Sequence, residues 1–192
     1  MPLQWVIQTD GAACWLATQQ DAKMSDPLLI ILFGLPGAGK SFVGEMLRDE
    51  FGFTFHEADD DIPDDYRQLV VAGHVVGEPM RDDYHRNLLD VIAALWAVHA
   101  RLAVAAPLLR DRHRRWLHER FPQALFLYVE SEPAAWQARL SRRTHTISLD
   151  YARKVAGLNE PISVPFERLE NNAEGMEAVR AQLTRLLGQA SN

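Results

Sequence analysis

Residues 28–41, "LLIILFGLPGAGKS", run an unbroken apolar stretch straight into a glycine-rich turn that ends in a lysine and a serine. That junction constrains the fold more than any other feature of the chain. The stretch from Leu28 to Phe33 has strand length and no polar alternation, as a parallel strand covered on both faces requires. The turn after it carries Gly34, Gly37 and Gly39, and neither a strand nor a helix interior tolerates that much glycine. Over residues 41–51, Phe42, Met46, Leu47 and Phe51 recur at helical spacing. Strand, tight turn and helix in that order open a β-α-β unit, which predicts a parallel sheet with right-handed crossovers.

The rest of the chain keeps the alternation. A short strand over residues 53–56 runs into the acidic segment "EADDD" (57–61), and helical segments follow at 64–72 and 82–100. A third strand is expected over 101–109, then a polar helix through Glu119, a fourth strand over 124–130 and a helix over 133–143. A closing helix over 174–187 places Met176, Val179, Leu183 and Leu186 on one side. The expected architecture is a single three-layer α/β/α domain over residues 27–192, with a parallel sheet of about five strands and a small lid. Residues 1–26 hold Trp5 and Trp15 but no sustained period, and read as an N-terminal extension, poorly ordered or dispensable up to residue 23.

Bulk properties narrow the function classes. With 192 residues, 47% apolar and 24% charged, the chain suits a soluble globular domain with a sizeable core. A net charge of −6 weighs against nucleic acid as a partner, because phosphate contacts demand a basic face. No apolar run reaches the roughly 18 residues of a membrane span. No cationic leader precedes the short apolar piece at the N-terminus, so a cytoplasmic protein is expected. Cys14 is the only cysteine, which excludes an internal disulfide and a cysteine-based zinc site. His113 and His118 lack a third ligand nearby in sequence and read as surface residues. A homodimer is compatible with all of this.

Gly34-Leu35-Pro36-Gly37-Ala38-Gly39-Lys40-Ser41 fits G-x-x-x-x-G-K-[ST], the phosphate-binding P-loop, in its required strand-turn-helix setting. Backbone N–H groups in such a turn converge on phosphate oxygens, a Cβ would crowd the anion, and the helix start adds its positive end. The expected ATP-binding set is Gly34, Pro36, Gly37, Ala38, Gly39, Lys40, Ser41 and Phe42. Lys40 would reach the β and γ phosphates and catalyse transfer of the γ-phosphoryl group, and the Ser41 hydroxyl would ligate Mg²⁺. In a parallel sheet the carboxyl ends of neighbouring strands share the ligand edge, so Glu57 and Asp59 should stand beside the turn. One carboxylate can hold Mg²⁺ and another can orient or deprotonate an attacking hydroxyl. The run leaves open how Glu57, Asp59 and Asp61 divide these jobs, and Asp60, Asp61 and Asp64 also suit a helix cap.

Taken together, "GLPGAGKS", "HEADDDIP", "GEPMRDDYHRNLL" (77–89) and "GLNEP" (157–161) resemble the gluconate kinase branch of the shikimate kinase-like small-molecule kinases over about residues 28–187. The resemblance implies ATP-dependent transfer to a hydroxyl of a sugar acid or similar polyhydroxy compound, gluconate foremost, in carbohydrate metabolism. It implies Glu57 at the metal and the acceptor, Asp59 as catalytic and acceptor-binding residue, and Arg86 with His85 on the acceptor, Arg86 facing its carboxylate. Residues 139–150, "RLSRRTHTISLD", resemble the family's lid, which implies Arg139 on the nucleotide and Arg143 over the transferring phosphoryl group.

The departures from the family pattern cluster around the acceptor. Glu57 replaces the first Asp of an Asp-x-Asp pair, His85 stands where an arginine is expected, and "AAPLLR" (105–110) lacks the family's lysine unless Arg110 substitutes. Two other functions stay open on the sequence: a nucleotide or nucleoside kinase of the same superfamily, and a non-catalytic nucleotide-binding regulator.

Overall fold

The computed structural model describes residues 28–142, 149–172 and 175–190, so the expectation for residues 1–26 lies outside the described residues. Five strands and seven α-helices alternate along these residues. Strand β1 is Leu28–Phe33, and the glycine turn leads into helix α1, Lys40–Phe51. Strand β2, Thr54–Glu57, passes through a 3₁₀ turn, Ala58–Asp61, to α2, Asp64–Val71, and α3, Glu78–Val98. Then come β3 (Arg101–Ala105), α4 (Asp111–Arg120), β4 (Leu125–Glu130), α5 (Pro133–Arg142), α6 (Leu149–Ala156), β5 (Glu167–Glu170) and α7 (Met176–Ala190).

All pairings in the sheet are parallel, in the order β2-β3-β1-β4-β5. β1 is central: Ile31 sits beside Val104 on one side and Phe126 on the other. Its alternating side chains feed two separate cores. Leu29, Ile31 and Phe33 pack with Leu88 and Ile92 of α3 and Leu117 of α4. Ile30 and Leu32 pack with Val43 and Leu47 of α1 and Val179 and Leu183 of α7. Each such side chain, fully withdrawn from water, contributes roughly 1.5–3 kcal/mol before entropy is charged against it. The three-layer α/β/α expectation is met.

Two boundaries near the cleft differ from the sequence reading, and two elements were not foreseen. β3 stops at Ala105 rather than 109, because Pro107 has no N–H for the ladder and the chain turns on bonds from the Leu108 and Leu109 amides to the Ala106 and Pro107 carbonyls. α3 starts at Glu78, with Pro79 in its first turn, not at 82. β5 and α6 went unforeseen, since only Leu169 of "ERLE" is buried and the strand lies at the sheet edge. Among the described residues no helix is long and apolar enough to cross a membrane.

Candidate active site

The carboxyl ends of β1, β2 and β3 open on one cleft, continuous with solvent. The glycine turn follows β1, Glu57 and Asp59 follow β2, and Pro107 and Leu109 follow β3; α2, α3 and α6 complete the walls with Tyr66, Arg81 and Tyr151.

The turn has the geometry of a phosphate nest. Gly37 and Gly39 adopt left-handed φ of 83° and 99°. Outside the loop, the Pro36 carbonyl accepts from Trp136 Nε1 at 2.7 Å. The Ala38 carbonyl accepts from Asn171 Nδ2 at 2.9 Å, Ser131 Oγ at 3.1 Å and Arg139 Nη1 at 3.3 Å. A trans peptide points its N–H opposite its carbonyl, so anchoring these two carbonyls outward aims the Gly37 and Gly39 amides inward. Ala38 itself donates its N–H to the Leu35 carbonyl at 3.1 Å, so its amide serves the turn. Helix α1 starts behind Gly39 with no side-chain cap, leaving its first N–H groups to an anion.

What excludes a Cβ from the glycines is protein. A Cβ on Gly34 would lie 2.3 Å from the Val129 carbonyl oxygen, on Gly37 2.8 Å from Leu140 Cδ2, and on Gly39 2.0 Å from Asn171 Nδ2. The sequence reading attributed all three to the anion; the backing of the loop by β4, α5 and the end of β5 accounts for them directly. Phe42 is partly buried against the core shared with α7 and lies away from the cleft lining.

Lys40 Nζ donates to the Gly34 and Leu35 carbonyls, each at 3.2 Å, which holds the ammonium over the mouth of the nest. Ser41 Oγ donates to Glu57 Oε2 at 2.5 Å. Burial pushes the Glu57 carboxyl above its ordinary range, and the Ser41 hydroxyl opposes the shift. A hydroxyl and a carboxylate side by side are hard oxygen donors of the kind Mg²⁺ takes, with its remaining positions filled by phosphate and water. The donor set therefore fits the metal. Asp59 lines the same cleft from the 3₁₀ turn.

The acceptor residues expected on α3 fall differently. Because the helix begins four residues early, the face turned to the cleft carries Arg81, which is 4% exposed. Arg86, expected on the acceptor, points outward, bonded to Asp83 at 3.0 Å and stacked 5.0 Å over Trp116, away from the cleft lining. His85 is fully buried behind the cleft wall, its ring stacked 3.8 Å from that of His113, and burial lowers its pKa to about 3. It therefore stays neutral there and touches no ligand surface. His113, read as a surface residue, is likewise fully buried and bonds Asp82 at 2.7 Å.

Arg139, expected on the nucleotide, lies against the back of the loop. Its guanidinium bonds Ser131 Oγ at 2.6 Å and the Asn171 carbonyl at 2.6 Å, so it braces the loop from behind. Arg143 lies outside the described residues. Arg110 does not replace a pocket lysine: it is bound to Glu78 at 2.7 Å, Glu160 at 3.2 Å and the Leu158 carbonyl at 3.2 Å. Sequence reasoning missed Ser131, Trp136, Asn171, Tyr66 and Tyr151 as site residues, since nothing local marks them.

No protein-family model matches the sequence, and no curated protein matches it. Solved structures do. An unliganded sugar kinase from Janibacter sp. HTCC2649 superposes with a TM-score of 0.71 at 20% identity, over 83% of this chain and 94% of that one. A gluconokinase from Sinorhizobium meliloti 1021 gives 0.68 at 22% identity, over 86% and 98%. A shikimate kinase from Bacteroides thetaiotaomicron gives 0.58 at 16% identity, over 86% and 99%. At these identities the likeness speaks for architecture: the chain has the fold of the P-loop small-molecule kinases.

Proposed function

We propose that the protein is an ATP-dependent kinase that transfers the γ-phosphoryl group to a hydroxyl of a small acceptor bearing an acid group. One observation carries the reading: Lys40 and Ser41, suited to a triphosphate, share a cleft with Asp59 and Arg81, suited to an acidic alcohol. ATP would supply the phosphoryl group; Ser41 and Glu57 would hold Mg²⁺, which would supply neutralisation of the phosphate charge. The inward amides of the loop and Lys40 position the phosphates. Asp59 orients the acceptor hydroxyl and takes its proton. Arg81 presents a planar fork matched to a carboxylate.

Gluconate has both an acid group and hydroxyls, and it is the acceptor named by the sequence resemblance. A nucleoside monophosphate fits less well, because Lys40 and Arg81 are the only cations among the described residues lining the cleft. The test is ADP release in a coupled assay against gluconate, shikimate, other sugar acids and nucleoside monophosphates. Lys40→Ala should abolish transfer while the fold, read by circular dichroism, persists. Asp59→Asn should cut kcat by about 10²–10⁴-fold with ATP affinity nearly intact. Loss of ATP binding in the Asn variant would move Asp59 to the metal, and tight ATP binding without turnover on any acceptor would end the kinase reading.

A further inference from the structure

The peptide between Ala38 and Gly39 has no conformational reason of its own to stand as it does. Its carbonyl is bonded behind the loop, with Gly39 at φ 99°. Turning the peptide over would carry Gly39 to negative φ, which glycine occupies as readily, and would aim a carbonyl at the anion in place of an N–H. The choice is made from outside the loop, at the Ala38 carbonyl. Asn171 Nδ2 donates to it at 2.9 Å and Arg139 Nη1 at 3.3 Å. Ser131 Oγ stands 3.1 Å away, but its one proton is shared with the Asn171 carbonyl, which is nearer at 2.9 Å.

Arg139 acts on that carbonyl twice. It donates directly, and its Nη2 also donates to Asn171 Oδ1 at 3.1 Å, which fixes the side-chain amide with its NH₂ toward Ala38. Without that bond the amide can turn and set its oxygen against the carbonyl it now holds. The guanidinium is seated in its turn by Ser131 Oγ and the Asn171 carbonyl, both at 2.6 Å, and the Asn171 N–H is tied to the Glu130 carbonyl at 2.8 Å. A charged donor on a carbonyl polarises the whole peptide and strengthens the N–H at its other end as a donor. We infer that Arg139 and Asn171 are positioning residues for the phosphoryl donor: without touching it, they set its phosphate affinity through the Ala38–Gly39 peptide. The inference rests on the phosphate-binding part of the kinase reading above.

The test is calorimetry on the full chain with Mg²⁺, using ADP and base-free pyrophosphate, beside steady-state kinetics and thermal melting. Arg139→Met and Asn171→Asp, which puts an acceptor where Nδ2 stood, should each weaken both ligands by one common factor of at least about tenfold. The KM for ATP should rise by that factor while the acceptor KM holds. Arg139→Lys should recover part of the affinity for both ligands alike, because an ammonium still donates to Ala38, and Ser131→Ala should cost less than either. If Arg139→Met fails to fold, Arg139→Lys and Asn171→Asp carry the same comparison. A loss confined to ADP would place Arg139 on the base and overturn the inference. So would a lower melting temperature with both affinities unchanged, which is what a merely structural brace predicts. Should the variants weaken pyrophosphate as expected while no acceptor is phosphorylated, the kinase reading fails and the positioning role stands. Should an acceptor be phosphorylated while the variants leave pyrophosphate affinity and the ATP KM unmoved, the reverse holds.

Discussion

Glu57 shows how much a single side chain can couple. It receives the Ser41 hydroxyl at 2.5 Å and is held in a partly buried position where ionisation is disfavoured. Its unfolded-state value is the ordinary 4.5 and its folded value lies higher. As pH rises through that interval the unfolded chain loses the proton first, so Glu57 subtracts stability, and the loss persists at neutral pH. Glu57→Gln keeps an acceptor for Ser41 and removes the ionisation. It should therefore be at least as stable as the wild type at pH 7–8, read by thermal melting, while needing far more Mg²⁺ for turnover. In the wild type Glu57 should contribute to an acid limb of kcat/KM above pH 4.5, and that contribution should be lost in the Gln variant. A Gln variant that melts lower at neutral pH would show that burial does not govern this carboxyl. Residue-level legibility was uneven for a related reason. Glu57 could be read from its place at a strand end, whereas choosing Arg81 over Arg86 needed the exact start of α3, and helix starts are the least determined part of a sequence pattern.

Helix α1 is the element on which the site is mounted, and its fit against β2 can be tested at Gly44. A Cβ there would lie 2.0 Å from Phe55 Cε2, with two further ring carbons within 2.5 Å. Ala in place of Gly gains about 1 kcal/mol of helix propensity, but overpacking a rigid ring costs about 1–3 kcal/mol, so the clash should win. Gly44→Ala should melt lower than the wild type, and Gly44→Ala combined with Phe55→Leu should recover stability in excess of additivity, as a double-mutant cycle would show. Additive effects would mean that helix and strand part freely. The elements themselves were legible in proportion to how local their signals are. The P-loop is a contiguous motif between an apolar strand and an amphipathic helix, and it appears as read. β5 was not legible, because a four-residue polar strand at an edge needs only Leu169 buried. The clamp on the loop was hidden for another reason: Asn171 meets Ala38 across 133 positions of sequence, and no spacing rule reaches that far.

Across the whole molecule, the run "RDRHRRW" ties the second half of the chain to the first. In sequence it reads as an exposed basic helix face. In the fold Arg110 and Arg112 bind Glu78 of α3, Arg112 and His113 bind Asp82, and Arg114 is fully buried. The Arg114 guanidinium donates to the carbonyls of Leu108 at 3.0 Å, Glu160 at 2.8 Å and Pro161 at 3.0 Å. It thereby fixes the segment after β3 and the "NEP" segment before β5 against α4, and Leu109 of the cleft wall stands in the first of these. Burial works against its charge, and Asp111 compensates at 3.4 Å. Arg114→Met fills similar space but orphans three carbonyls and takes the buried cation from Asp111, which keeps Ser163, and removing one partner of such a buried set costs about 3–5 kcal/mol. The urea midpoint should fall accordingly with an unchanged slope. Arg114→Lys should recover only a fraction, because an ammonium cannot span carbonyls arranged for a planar fork. Arg115, the next residue, has a side chain 57% exposed and, among the described residues, its ion pair is with Asp111 alone, so Arg115→Met should leave the midpoint near the wild-type value. If both variants shifted the midpoint alike, the run would be acting through general charge, and the cross-link from α4 to the cleft wall would carry no special share of the stability.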